Sequence, residues 1–472
     1  MLFNSIPFAF FLILFFIGYW FVFNKNIRLQ NAFVFVSSYV FYGWWDWRFL
    51  FLISFSSLLG FGIGWWMDST PEERIRKRLL TLSIVINVLF LAAFKYLNFF
   101  IDSTETLIHK LGFEADFITL HWILPIGISF YTFHNISYIV DVYRKHIQAT
   151  KDPIVYLSFM SYFPQLVAGP IQRAKDLIPQ FQHVRIFNYA QATAGLQQLL
   201  WGLFKKVVIA DTCAHYANNA FAHYEALSGL QLLLGVVFFA FQIYGDFSGY
   251  TDMALGISKL FGIELTTNFK TPYFARSIPD FWRRWHISLT TWFKDYVYIP
   301  LGGNKKGMAV TLRNTFIIFL VSGFWHGANW TFIVWGLLNA IYFIPYLFLK
   351  MDSKEKNYSV TDYLQMFLVF VAICFAWIFF RAASLTEAMA YIKHLFGNSF
   401  ITTSYLTVFP ISILLPLIFL LNIEWIYFRK DGFKPIHFPS QWIAWPVYIC
   451  LAFIILMNMS FHKNSDFIYF QF

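Results

Sequence analysis

The chain has 472 residues and a formal net charge of +10, with 58% hydrophobic, 22% aromatic and only 13% charged residues. A soluble domain carries about 25% charged residues, so this composition cannot coat a water-facing surface. With 61 Phe and 18 Trp, it excludes a soluble enzyme, a disordered protein and a nucleic-acid reader, and places the protein in a membrane. The 35 Lys and Arg against 25 Asp and Glu fit the bias of basic residues toward cytoplasmic loops and contact with anionic headgroups. Cys213, Cys374 and Cys450 have neither CxxC nor zinc spacing and read as structural residues.

A crossing needs about 20 mainly apolar residues. The start Met1-Leu2-Phe3-Asn4-Ser5 has no basic segment, and no small-residue cleavage site follows the apolar run. Residues 6–23 are therefore expected to be a first span rather than a removed signal peptide. Further candidates are 31–45, 49–67, 79–100, 119–140, 229–247, 363–380, 406–427 and 441–460. The stretch 316–349 has no charged residue, and its 34 residues would reach about 51 Å as one helix, too long for one crossing. It should be a hairpin turning near Gly323 to Asn329, giving ten or eleven crossings in all. Lys25 and Arg28, then Arg74, Arg76, Lys77 and Arg78, then Arg144 and Lys145 follow the first, third and fifth spans. The opposite loop, 101–118, holds Asp102, Glu105, Glu114 and Asp116 against Lys110. By the positive-inside rule the N-terminus faces the periplasm. With no soluble domain, linker or repeat visible, the chain reads as one integral membrane domain over 1–472. Its parts are N-terminal spans to 145, a central region over 153–350 and C-terminal spans over 361–472.

Ionisable side chains at membrane depth cost at least about 2.5–3.5 kcal/mol on insertion scales and mark candidate functional sites. In the fifth span, His134 reads as a buried structural residue beside Asn135, with Asp141 at the inner end near Arg144. The run Tyr244-Gly245-Asp246-Phe247-Ser248-Gly249-Tyr250-Thr251-Asp252 suggests a broken helix whose polar backbone lines a cavity. Its carboxylates could orient a histidine, pair an internal cation or serve a purely structural break. In 281–296, Phe281, Trp285, Leu289, Trp292 and Tyr296 recur at helical spacing among Arg283, Arg284, Lys294 and Asp295. That pattern suits a basic amphipathic helix at the interface, started by Ser277, Pro279 and Asp280. Its cations are either lipid-facing or, with Lys305 and Lys306, a dock for an anionic acyl donor. Finally, if locally helical, Ser322, His326 and Asn329 share one face, next to Trp325 and between glycines 323 and 327. A lone histidine here could be satisfied by neighbouring helices, but imidazole is also the side chain best suited to proton removal near neutral pH.

Together these segments resemble the membrane-bound O-acyltransferase family. The resemblance rests on Ala168-Gly169-Pro170-Ile171-Gln172-Arg173, the Asp246 to Met253 run, Pro272-Tyr273, Phe281-Trp282-Arg283-Arg284-Trp285-His286-Ile287-Ser288-Leu289, Gly323-Phe324-Trp325-His326-Gly327 and the terminal Phe467-Ile468-Tyr469-Phe470-Gln471-Phe472. It is strongest to the bacterial branch of alginate O-acetyltransferases, with teichoic acid D-alanyl transferases as relatives. The resemblance implies an all-α helical ring around a central tunnel in the bacterial inner membrane. It also implies catalytic roles for His326 and His286, with Ser322, Asn329, Trp325, Asp246 and Asp252 as supporting or tunnel-lining residues. The expected donor is acetyl-CoA or another acyl thioester on the cytoplasmic side, docked by Arg283, Arg284, Lys305 and Lys306. No bound cofactor, metal or nucleic acid is expected. The acceptor would be an exported polysaccharide, reached directly or through a periplasmic SGNH-type acetyltransferase. D-alanyl transfer from a carrier protein to teichoic acid and peptidoglycan O-acetylation are the alternative reactions. A polysaccharide export scaffold or transporter is the non-enzymatic alternative; it calls for inverted repeats and charged midplane residues, which the sequence lacks.

Overall fold

The computed structural model describes residues 1–113, 125, 127–167, 169–349, 358–397, 411–430, 436, 438, 440–459 and 468. Glu114 and Asp116 of the acidic loop, the start of the expected 119–140 span, Ala168, Phe467 and the last four residues lie outside them. The described residues form helices and connecting turns, and their backbone contacts group them into two compact units. One is Met1–Leu196 with Ala254–Thr266, the other Gln197–Met253 with Thr267–Phe472.

The first unit contains α1 (Ile6–Ile17), α2 (Ile27–Gly43), α3 (Phe49–Ser69), α4 (Glu73–Lys95), α5 (Leu97–Lys110), α6 (Ile128–Tyr143), α7 (Pro153–Ser161), α8 (Phe163–Leu166) and α9 (Ala174–Gln182). Their starts carry local signals. Ser5 caps α1, with its hydroxyl accepting from Phe8 N–H, Asn26 caps α2, and Asp152 with Pro153 opens α7. The Phe163 ring gathers Phe8, Phe11, Phe15 and Phe41 at centroid distances of 5.1–6.3 Å. Arg76, one of the basic residues that follow the third expected span, is buried. Its guanidinium donates to Met67 O at the end of α3 and to Val142 and Tyr143 O at the end of α6, at 2.9–3.1 Å. One side chain thereby satisfies the orphan carbonyls of two helix ends. His134 is fully buried and its Nε2 accepts from Gln172 N–H at 3.1 Å, a structural contact inside this unit.

α10 (Tyr189–Leu203) and α12 (Gly229–Leu260) each contribute to both units. The second unit adds a π-helical turn Phe204–Ala210, α11 (Asp211–Ala222), α13 (Ile278–Arg284), α14 (Ile287–Phe293), α15 (Met308–His326), α16 (Trp330–Leu349), α17 (Val360–Arg381), α18 (Leu385–Gly397), α19 (Ile411–Arg429) and α20 (Gln441–Asn458). Seven described helices are long and apolar enough to cross a membrane: α3, α4, α12, α15, α16, α17 and α20. The uncharged stretch is the expected hairpin, α15 and α16 joined by Gly327, Ala328 and Asn329. Close approach is built into it. A Cβ on Gly323 would run into Phe332 O, and one on Gly336 into Phe319 O, so small residues let the two backbones touch.

Two local expectations differ from the structure. α12 runs unbroken through the Asp246–Asp252 segment, because its carboxylates find cations and need no exposed backbone. The 281–296 pattern is not one interfacial helix. It breaks at Trp285 and His286, and Phe281, Trp285, Leu289 and Trp292 are all buried. The helical spacing therefore marked an apolar core face, not a lipid face.

Candidate active site

His326 is the last residue of α15 and is 5% exposed. Three rings meet its imidazole edge-on: Trp325 at 4.8 Å, Trp335 of α16 at 5.2 Å and Phe380 of α17 at 5.2 Å. Behind them, Trp335 stacks on Trp377 at 5.9 Å and Trp377 lies 5.3 Å from Trp285. Because α15 ends at His326, Asn329 does not share a face with it and Ser322, a correction to the helical expectation. Asn329 instead starts α16, with its Oδ1 accepting from Thr331 N–H at 3.0 Å and its amide donating to Ala383 O at 2.8 Å. That pair ties the hairpin turn to the end of α17 and so holds the cage around His326.

His286 lies at the break between α13 and α14. The break is set by Asn268, whose backbone carbonyl accepts from Ile287 N–H at 2.9 Å and whose Oδ1 accepts from Ser288 Oγ at 2.6 Å. The His286 ring is 1% exposed and packs 4.6 Å from Phe247 and 6.2 Å from Trp325. Burial pushes its pKa down to about 3, so the imidazole is neutral throughout the physiological range. Trp325 thus touches both histidines that the sequence singled out.

Ser322, one turn before His326, lines a cavity of about 310 Å³ with Trp282, Phe319, Phe343, Thr290 and Thr315. Trp282 lies 5.8 Å from Trp335, so one cavity wall is a single ring away from His326. Arg283 and Lys294 are the cations in its lining. Arg284 is engaged elsewhere, 3.0 Å from Asp280 and 4.7 Å over the Phe428 ring. Lys305 and Lys306 sit exposed on the turn before α15 and are absent from the lining.

Asp246 and Asp252 point away from this chemistry into a buried ion network. Asp252 Oδ2 meets Lys205 Nζ at 2.5 Å and its Oδ1 accepts from Gln198 at 2.9 Å; Asp246 Oδ1 meets Lys206 Nζ at 2.9 Å. Lys206 also pairs with Asp211 at 2.8 Å, Asp246 Oδ2 accepts from Ile468 N–H at 2.7 Å, and Tyr244 donates to Glu424 at 2.5 Å. The glycines of the run explain the approach: a Cβ on Gly249 would sit 2.8 Å from Gly202 O. Lys205, Lys206 and Glu424 escaped the sequence reading, although charged residues within apolar runs are the same signal that flagged the two aspartates. No group of three metal-ligating side chains converges among the described residues.

Residues 36–386 of this apolar chain match the model of MBOAT, the membrane-bound O-acyltransferase family, and the chain belongs to that family. It is therefore an O-acyltransferase. It is 40% identical over 389 residues to a probable alginate O-acetylase of Pseudomonas putida, covering 82% of this chain and 79% of that protein. It is 37% identical over 436 residues to the peptidoglycan O-acetyltransferase of Helicobacter pylori, covering 86% and 82%. The teichoic acid D-alanyltransferase of Bacillus subtilis is 29% identical over 272 residues, 54% of this chain and 68% of that protein.

Proposed function

We propose that this protein takes an acetyl group from acetyl-CoA on the cytoplasmic side and passes it toward hydroxyls of an exported cell-surface polysaccharide, with His326 removing the hydroxyl proton. The observation that carries this reading is His326 itself, a buried imidazole among Trp325, Trp335 and Phe380 at the end of an uncharged hairpin. The names of the relatives favour acetyl over D-alanyl transfer, since the O-acetylases share more identity over more of the chain. A periplasmic acetyltransferase of the SGNH type is the proposed intermediate acceptor, and the bacterial inner membrane the proposed location. The test is transfer by purified protein in liposomes from labelled acetyl-CoA and, separately, from a D-alanyl-loaded carrier. Transfer from the carrier alone would reverse the assignment.

The donor's phosphates are proposed to meet Arg283, Arg284, Lys305 and Lys306, with the cavity lined by Arg283, Lys294 and Ser322 receiving its uncharged arm. Changing those four cations together to Gln is expected to raise the half-saturating acetyl-CoA concentration. Each exposed contact is worth at most about 1 kcal/mol, so the effect should shrink as salt is added. An unchanged half-saturating concentration at low salt would return these residues to a lipid-facing role.

The proposed orientation puts the N-terminus in the periplasm. Supporting it, the Met1 amino group donates to Phe41 O near the far end of α2, and Arg76 binds the ends of α3 and α6 that precede basic residues. Asn4 is buried, so exposed Arg48 and Lys77 are the better probes. In a cysteine-free background, an impermeant thiol reagent applied to spheroplasts should label Arg48→Cys and spare Lys77→Cys. The reverse pattern would invert the topology.

A further inference from the structure

Ser322 lies on α15 one turn before His326 and is buried, yet its hydroxyl makes no hydrogen bond among the described residues. A serine or threonine within a helix can donate back to the carbonyl one turn earlier, as Thr315 of the same helix does to Thr311 O at 2.8 Å. Thr290 donates to Trp285 O at 3.3 Å. Of the three aliphatic hydroxyls that line the cavity, two thus spend their protons on backbone, and only that of Ser322 is left for an occupant. A buried donor without a partner is costly, so the cavity is incomplete until something accepts from it. The cavity follows α15 from Thr315 to Ser322, about 10 Å of helix. Arg283 and Lys294 on its border are exposed, whereas Trp282, Phe319 and Ser322 are buried. It therefore joins surface cations, apolar walls and one uncommitted hydroxyl, the pattern of a site that orients a mainly apolar ligand through a single polar group.

We infer that Ser322 determines which thioesters are accepted, its hydroxyl donating to the carbonyl of the amide nearest the sulfur in the donor's pantetheine arm. This rests on the transfer from acetyl-CoA at His326 proposed above. In that arm the sulfur and two methylenes separate the thioester carbon from the amide nitrogen, a length close to one helical turn of about 5.4 Å. Ser322 and His326 are one turn apart on the same face of α15. An arm lying along α15 with its amide on Ser322 thus brings its thioester carbon level with His326. The methylenes lie against Trp282 and Phe319, and the phosphate end leads out past Arg283 and Lys294. No bond to Ser322 forms or breaks in the reaction. Its contact is the same in the ground state and the transition state, so it selects the donor and leaves the chemical step to other groups.

The test compares wild type with Ser322→Ala in liposomes, using two donors. One is acetyl-CoA; the other is the acetyl thioester of a coenzyme A analogue in which two methylenes replace that amide. Wild type should need about two- to tenfold more of the analogue for half-saturation, the worth of one neutral hydrogen bond. Ser322→Ala should raise the half-saturating acetyl-CoA concentration by a similar factor and leave kcat nearly unchanged, as loss of uniform binding does. It should also cease to distinguish the two donors. A merely structural role for Ser322 would instead weaken the use of both donors alike. That result, equal half-saturation for the two donors in wild type, or a preference for the amide that survives in Ser322→Ala, each overturns the inference. Wild-type protein without transfer from acetyl-CoA, or His326→Gln with it, would overturn the proposed function instead.

Discussion

His326→Ala is expected to lose acyl transfer by at least about two orders of magnitude while remaining in the membrane at normal levels. A sugar or serine hydroxyl is a poor nucleophile at neutral pH, and a placed base contributes about 10²–10⁴-fold. At 1.36 kcal/mol per tenfold this is about 2.7–5.4 kcal/mol of barrier. Trp325, Trp335 and Phe380 meet the ring edge-on and hold the imidazole in place for the proposed proton transfer. His134→Ala is the control. That side chain accepts from Gln172 N–H, with both residues inside the first unit, so its loss should lower the amount of folded protein and leave the activity per molecule unchanged. Acetylated product per unit of membrane-inserted protein measures both.

Lys206→Met should destabilise the protein by about 3–5 kcal/mol, the usual cost of stranding one half of a buried ion pair. Lys206 Nζ bridges Asp246 at 2.9 Å and Asp211 at 2.8 Å; its own side chain and that of Asp246 are 5% and 4% exposed. Asp211 is 27% exposed and can turn to water, but Asp246 cannot. Adding Asp246→Leu to Lys206→Met removes the stranded charge and should recover most of the loss, since a well-packed apolar pair often matches a buried ion pair. Thermal unfolding in detergent of the two single variants and the double variant provides the cycle. A double variant as unstable as the sum of the singles would mean that the pair is not coupled.

Much of this was legible in the sequence because lipid penalises exceptions. Apolar runs of about 20 residues called for helices, since only helices and closed barrels satisfy their backbone in hydrocarbon and barrel strands alternate over about 10 residues. The length of 316–349 required a hairpin, and the Gly-Phe-Trp-His-Gly run fixed where it turns. His326 stood out as a polar residue among aromatics, and His286 entered through the resemblance to the family. Periodicity misled where tertiary contacts took over. The Phe281 to Tyr296 spacing is helical, yet Asn268, more than a dozen residues upstream, breaks the helix at His286. The Asp246–Asp252 segment looked like a break, yet Lys205, Lys206 and Gln198 neutralise it within a continuous helix. Neither partner set lies close enough in sequence for local patterns to reveal it. Trp335, Trp377 and Phe380 were indistinguishable from the other apolar aromatics until the fold brought them to His326.

Proton removal by His326 is tested most directly with His326→Gln. Glutamine keeps hydrogen-bonding capacity and most of the volume inside the cage, but its amide cannot take a proton. The initial rate of acetyl transfer from acetyl-CoA would be measured in liposomes at matched amounts of wild-type and variant protein. The account predicts a loss of at least about a hundredfold, close to that of His326→Ala, with little change in the half-saturating donor concentration. A near-normal rate from His326→Gln would show that the residue positions substrate rather than removing the proton, and would contradict the mechanism.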